Sequence, residues 1–276
     1  MRSVLLPVAA VFAVSLVSFG RGGQAAASWA PSGVAAAGDS LSTGYASDGT
    51  GGDHPENSWS VGSNPAVGSH YARIRKTWPG SAGQMLLVAQ DGASVNDLAA
   101  QLARVVAHGD IDYLTIQIGV NDICEARRAG DVTPVRVFRE QFARALRVLH
   151  RGAADARVLV TSLADEARWN DAVLRVPALA RQVQDGTVCD PKPRADGRQD
   201  PAVRAQIHRW EEAYDRVLAS VCAGFSHCRY DGGALYRLSY QPSDVSAHDG
   251  FHPSVAGLAK MAAVTWPAAR KLLVDG

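Results

Sequence analysis

Short apolar runs of strand character recur along this chain between longer stretches whose apolar residues follow a helical period. That alternation constrains the fold more than any other feature, because parallel strands need crossovers long enough to hold a helix. The first run is Val34-Ala35-Ala36-Ala37, weak in β-propensity and stopped by a Gly38-Asp39-Ser40 turn. The second, Met85-Leu86-Leu87-Val88, precedes Leu98, Leu102, Val105 and Val106 at helical spacing. Tyr113-Leu114-Thr115-Ile116-Gln117-Ile118 is the clearest strand. A helix follows it, with Thr133 as expected N-cap, Pro134 in the first turn, and Val137, Phe138, Phe142, Leu146 and Leu149 along one face. The fourth run is Arg157-Val158-Leu159-Val160-Thr161. Further helices are expected over 201–222, where Ile207, Trp210, Tyr214, Val217, Leu218 and Val221 share a face, and over about 254–273.

Two stretches break the pattern. Residues 45–64 are dense in Gly, Asp and Ser, contain Trp59 and follow the first strand directly, so they are expected to lie over the carboxyl edge of the sheet and shape a binding site. Residues 185–200, rich in Pro, Gly, Asp and Arg, read as a surface excursion with Cys189 as a staple. No repeat or linker divides the chain, and 276 residues with 47% hydrophobic content suffice for one core, so a single domain over 28–276 is expected.

Residues 1–27 read as a secretory signal peptide: Arg2, an apolar run over 4–19, then Ala25-Ala26-Ala27 as the cleavage region. Pro7 and the shortness of the run, against the ~20 apolar residues of a span, argue against a membrane anchor. A secreted location is therefore expected, and it makes disulfides the natural state of Cys124, Cys189, Cys222 and Cys228. Four cysteines pair in three ways; Cys124 with Cys189 and Cys222 with Cys228 are the preferred pairs. A zinc site is disfavoured because no Cys-x-x-Cys pair occurs. With 28 basic against 27 acidic residues and no block of like charge, nucleic acid is not an expected partner.

Three short motifs carry chemistry, and each falls where a predicted strand ends or in the last loop. In Gly38-Asp39-Ser40-Leu41 the glycine permits a tight turn that exposes Ser40, a candidate nucleophile whose own N–H faces a forming oxyanion. The plain alternative is an ordinary turn, since Gly, Asp and Ser all favour one. In Gly119-Val120-Asn121-Asp122, Asn121 offers a neutral donor toward an oxyanion, against the alternative of an Asx turn. In Asp249-Gly250-Phe251-His252-Pro253, a spacing of three lets Asp249 orient the His252 imidazole as a base. His248 is the local competitor. A weaker element, Asp91-Gly92-Ala93-Ser94, offers the Gly92 N–H as a further oxyanion donor, or is simply a loop that opens a helix.

Taken together the motifs resemble those of the GDSL, or SGNH, hydrolase superfamily, whose four marker residues map in order onto Ser40, Gly92, Asn121 and His252. The resemblance implies a flavodoxin-like three-layer α/β/α fold, ester hydrolysis through an acyl-enzyme and no cofactor. The polar residue that often precedes the family's glycine is here Gln90 or Asp91. A further segment, Glu56-Asn57-Ser58-Trp59-Ser60-Val61-Gly62, is similar to part of the phospholipase-B-like branch and its secreted actinobacterial relatives, which suggests lipid or other acyl esters. Simple packing is the competing role for Trp59. A monomer without a membrane span, acting on a small-molecule or lipid acyl ester, is expected.

Two other classes fit the same residues. Asp39, Asp122, Asp249 and His252 could ligate a metal in a metal-dependent hydrolase; a silent binding protein on the same fold is the second. The Gly-x-Ser-x-Gly elbow of another esterase class does not occur.

Overall fold

The structure, a computed structural model, describes residues 30–81, 83–183 and 186–275. The expected signal peptide lies outside them. Among these residues the strands are β1 (Gly33–Gly38), β2 (Gln84–Leu87), β3 (Tyr113–Gln117), β4 (Arg157–Val160) and β5 (Cys228–Tyr230). All pair in parallel, in the order β2-β1-β3-β4-β5. Helices α1 (Ser40–Thr43), α2 (His70–Thr77), α3 (Leu98–His108), α4 (Val120–Cys124), α5 (Val135–Gly152), α6 (Glu166–Val173), α7 (Pro177–Gln182), α8 (Pro201–Cys222) and α9 (Val255–Asp275) fill the connections. The strand order is the flavodoxin-like one, and its reversal point lies between β1 and β3, where open α/β sheets bind ligands.

Alternation along each strand divides the core into two layers of packing. Ala35, Ala37, Leu114, Ile116, Val158 and Val160 join a cluster with Leu98 and Leu102 of α3, Phe138 and Phe142 of α5, and Tyr214 and Leu218 of α8. Val34, Ala36, Tyr113 and Leu159 join Ile74 of α2 and Ala269, Leu272 and Leu273 of α9. The interior strand β1 is therefore built mostly of small residues buried on both sides, and its place in the sheet overrides the weak strand propensity of alanine. On α5, Phe138 stacks against Tyr214 with ring centroids 4.0 Å apart, which ties α5 to α8.

The structure departs from the sequence reading in small ways. The helix expected from Thr133 is α5, which begins at Val135 with Pro134 rather than Thr133 in the capping position; the Thr133 N–H instead donates to the Asp122 carbonyl. Strand β5 was not foreseen, since Cys228-Arg229-Tyr230 is only three residues long and half-buried. Both preferred disulfides are present, Cys124 with Cys189 and Cys222 with Cys228, and the second fastens β5 to the end of α8.

The end of β1 is fixed by backbone contact. Gly38 has φ +132°, and a Cβ there would sit 1.8 Å from the Gln117 carbonyl oxygen of β3. The buried Gln101 amide grips the same residue twice, accepting from its N–H at 2.8 Å and donating to its carbonyl at 2.9 Å. Gly38→Ala is therefore expected to lower the unfolding free energy by at least about 3 kcal/mol in urea titration. A loss under about 1 kcal/mol would contradict this close approach.

Candidate active site

At the β1/β3 reversal point a cavity of about 480 Å³ is lined by Ser40, Gly92, Asn121, Asp249 and His252, with Asp91, Glu125, Glu166, Asn170 and Phe251 among its other walls. All five residues singled out from the motifs thus meet in one place. They come from four separate loops, and the local chemistry of each loop explains its position.

Ser40 is the first residue of α1. Asp39 caps this short helix, its Oδ1 accepting from the Leu41 N–H at 3.1 Å, and Gly44 closes it in the left-handed conformation at φ 73°. The loops after β2 and β3 are stitched together. The Asn121 side-chain amide donates to the Ala93 carbonyl at 2.9 Å, and Asp122 Oδ2 accepts from the Val95 N–H at 2.9 Å. Gly92, at φ +69°, is held between Asp91 and that bonded Ala93.

The last loop holds the ionisable pair. His252 Nδ1 lies 2.7 Å from Asp249 Oδ2, while the backbone N–H groups of Phe251 and His252 both donate to Asp249 Oδ1, at 2.9 and 3.0 Å. Burial pushes the Asp249 carboxyl up, but the His252 and backbone hydrogen bonds outweigh it and leave the group below its ordinary range. With Nδ1 spent as a donor to the carboxylate, Nε2 is left as the acceptor. The Tyr45 ring packs on the imidazole, centroids 4.7 Å apart. The rival His248 is exposed and lies against Gly51, away from the cavity.

The four-ligand metal cluster considered from sequence does not assemble. Asp39 and Asp122 do not line the cavity with Asp249 and His252; an oxygen of Asp39 is held by the Leu41 N–H of its own loop and one of Asp122 by the Val95 N–H of the loop after β2. Among the described residues, a His/Asp/Glu group with metal-ligand spacing occurs elsewhere, at Asp165, His208 and Glu211.

A second correction concerns the cavity's walls. Trp59 is fully buried and meets His70 edge-on at 5.1 Å; His70 bonds Tyr113 and Thr265, and burial pushes its pKa down to about 3. Residues 57–62 therefore pack as core, and of the stretch 45–64 none lines the cavity, although Tyr45 reaches the site through its packing on His252. The wall comes instead from α6, α7 and the start of the 185–200 excursion: Glu166, Asn170, Gln182, Val183, Thr187 and Cys189. Hydrogen bonds join this wall to the histidine loop, from Trp169 Nε1 to the Gly250 carbonyl at 3.2 Å and from Gln182 to the His248 carbonyl at 3.2 Å. The one sequence hint was the disulfide, since Cys124 sits just beyond Asn121 and pins Cys189 to the cavity.

A parallel five-stranded sheet in the order β2-β1-β3-β4-β5 with helices packed on both faces defines a flavodoxin-like α/β/α architecture, and Ser, Asn, Asp and His side chains gather at its reversal point. Residues 36–260 match the GDSL-like lipase/acylhydrolase family, and the chain belongs to that family. Membership supports an ester hydrolase. No curated protein sequence matches the chain significantly. Among solved structures it is similar to TesA, at 17% identity and TM-score 0.50 over 87% of this chain and 99% of that one. It is similar also to the lipase/acylhydrolase from Enterococcus faecalis, at 15% identity and TM-score 0.51 over 87% and 95%. A catalytic mutant of Axe2, an acetylxylan esterase from Geobacillus stearothermophilus, matches at 15% identity and TM-score 0.53 over 87% and 94%. At these identities the likeness is one of fold.

Two stability tests follow from the site's buried groups. Burial pushes the Asp39 carboxyl up to about 8 and that of Asp122 up to about 6, the backbone bonds from Leu41 and Val95 offsetting only part of the effect. Such groups bind more protons folded than unfolded between their two pKa values, so stability should fall as pH rises from about 4 to about 8. Asp39→Asn, which keeps an acceptor for Leu41, should flatten that slope in denaturant titrations across the range; an unchanged slope would clear Asp39 of responsibility. Replacing Cys124 and Cys189 together by alanine opens a link across 65 residues of chain and should cost roughly 4 kcal/mol. Unchanged stability in the double variant would show that the bond does not constrain the unfolded chain.

Proposed function

We propose that this protein is an exported serine ester hydrolase acting on carboxylic acyl esters through an acyl-enzyme. The observation that carries the proposal is the 2.7 Å bond between Asp249 and His252 Nδ1, made on the wall of the cavity that Ser40 also lines. His252 Nε2 takes the Ser40 proton as Oγ attacks the ester carbonyl, then passes it to the departing alkoxide. The oxyanion is held by the N–H groups of Ser40 and Gly92 and by the second N–H of the Asn121 amide, whose first is committed to Ala93. Water, deprotonated by the same imidazole, attacks the acyl-serine and releases the acid. Asp249 stays ionised and holds the ring in the tautomer that accepts a proton.

Export is supported by two disulfides and by the signal-like character of residues 1–27. The cavity, about 480 Å³ and lined by Asn, Gln, Thr and carboxylate groups as well as Val183, Phe251 and the Cys124–Cys189 disulfide, suits a short acyl ester. Ser40→Ala should abolish hydrolysis of a short-chain p-nitrophenyl ester while leaving the unfolding midpoint within a few degrees. Asp249→Asn should lower kcat about a thousandfold or more through loss of the correct tautomer. Steady-state assays of both variants decide the matter, and retained activity in Ser40→Ala would refute the assignment.

A further inference from the structure

Behind the cavity wall, one group of ionisable side chains has no part in the proposed chemistry. Asp165, His208 and Glu211 each place a potential ligand atom within 4.8 Å of the other two. The fold explains the meeting. His208 and Glu211 stand three residues apart on α8 and so share a face, while Asp165 is the N-cap of α6. The two elements are locked together there, the Glu166 N–H donating to Glu211 Oε1 at 2.7 Å and the Leu163 N–H to Asp215 at 2.9 Å.

This junction is buried and short of partners. Asp165 is fully buried and Glu211 is 1% exposed. Arg168 Nε lies 3.1 Å from Asp165 Oδ2, yet outside hydrogen-bond geometry. Glu211 Oε2 is more isolated: among the described residues neither a hydrogen bond nor an ion pair reaches it. From a different element, the buried Tyr240 hydroxyl is also without a partner, within electrostatic reach of Asp165, Glu166 and Glu211. Buried charge of this kind is costly unless it is paired or coordinates a metal.

We propose that Asp165, His208 and Glu211 bind a divalent transition-metal ion of the zinc class, which pins α6 to α8. One imidazole and two carboxylates suit zinc better than calcium or magnesium, which take oxygen ligands. His208 Nε2 and Asp165 Oδ1 already stand 3.2 Å apart. Two ligands on a tetrahedral zinc, bonded at about 2.0–2.1 Å, are separated by about 3.4 Å, so a small movement of Glu211 completes the set. The His208 side chain is 29% exposed and gives the ion a way in. Its role is structural: Glu211 holds the N–H of Glu166, which lines the cavity, so the ion braces that wall without touching Ser40 or His252. The site is independent of the ester-hydrolase reading.

The test strips the mature chain with a chelator, dialyses it and titrates it with zinc chloride by calorimetry. One zinc per chain is expected, with an unfolding midpoint raised by roughly 5–10 °C once free zinc exceeds Kd about a hundredfold. Calcium and magnesium chlorides at the same concentration should leave the midpoint unchanged. His208→Ala, at a part-exposed position, should fold yet bind zinc at least about tenfold more weakly and lose the stabilisation. Glu211→Gln should do the same, and if burial of the amide prevents folding, His208→Ala decides alone. His54→Ala removes the histidine that meets Asp48 and Glu56 on the far loop and should bind as the unmodified chain does. Absence of zinc binding, stabilisation that survives His208→Ala or disappears in His54→Ala, or an equal rise with calcium overturns the proposal.

Discussion

The hydrogen bond from His252 Nδ1 to Asp249 Oδ2 depends on a carboxylate that cannot turn away, because two backbone N–H groups hold its other oxygen. The bond sets which imidazole nitrogen is free to take a proton, and without it the gathered side chains would have no defined base. Its loop is held from several sides. The Ser246 N–H donates to the His252 carbonyl at 2.8 Å, Trp169 of α6 reaches the Gly250 carbonyl, and α9 begins immediately afterward at Val255. A pair only three residues apart can thus be rigid although it sits in a loop.

The opposite side of the cavity is set by the sheet. β1 and β3 part company at the reversal of strand order, and the loops leaving them, with the loop from β2, open into the same crevice. Gly38 is the tightest point of that arrangement, pressed on β3 and clamped by Gln101, so the residue that launches α1 has little freedom. Asn121 and Asp122 then bind the β2 loop through Ala93 and Val95. The candidate donors are therefore positioned before any substrate arrives, which is what electrostatic stabilisation of a transition state requires. Asp39, one residue from the proposed nucleophile, is a buried carboxyl whose pKa burial raises to about 8, so it adds little negative charge beside the proposed oxyanion position at neutral pH.

Much of this was legible in the residues themselves. Runs such as Leu114-Thr115-Ile116 and the helical stripe of Phe138, Phe142, Leu146 and Leu149 declare their structure because burial imposes a period on them. That Ser40, Gly92 and Asn121 would gather was legible because strand ends in a parallel sheet share one crevice, and Asp249 and His252 stood out by their spacing of three in the last loop. What stayed hidden was decided by tertiary contact. Trp59 sits in a segment dense in loop-forming residues, yet its indole and the neutral His70 are core, and no local pattern distinguishes a loop that packs from one that lines a site. The wall formed by Glu166, Asn170 and Gln182 comes from two short helices whose polar residues look like any solvated surface. β5 has too few residues to show a period and is identified only by its pairing with β4.

The central claim is that Ser40 is the nucleophile activated by His252, and covalent labelling reads it most directly. The protein would be treated with a serine-directed fluorophosphonate, digested, and the adduct located by mass spectrometry, with a His252→Ala variant in parallel. A single adduct on the peptide containing Ser40, formed at least a hundredfold more slowly in the variant, is the expected result. An adduct on another residue, or an active enzyme that resists labelling, would contradict it.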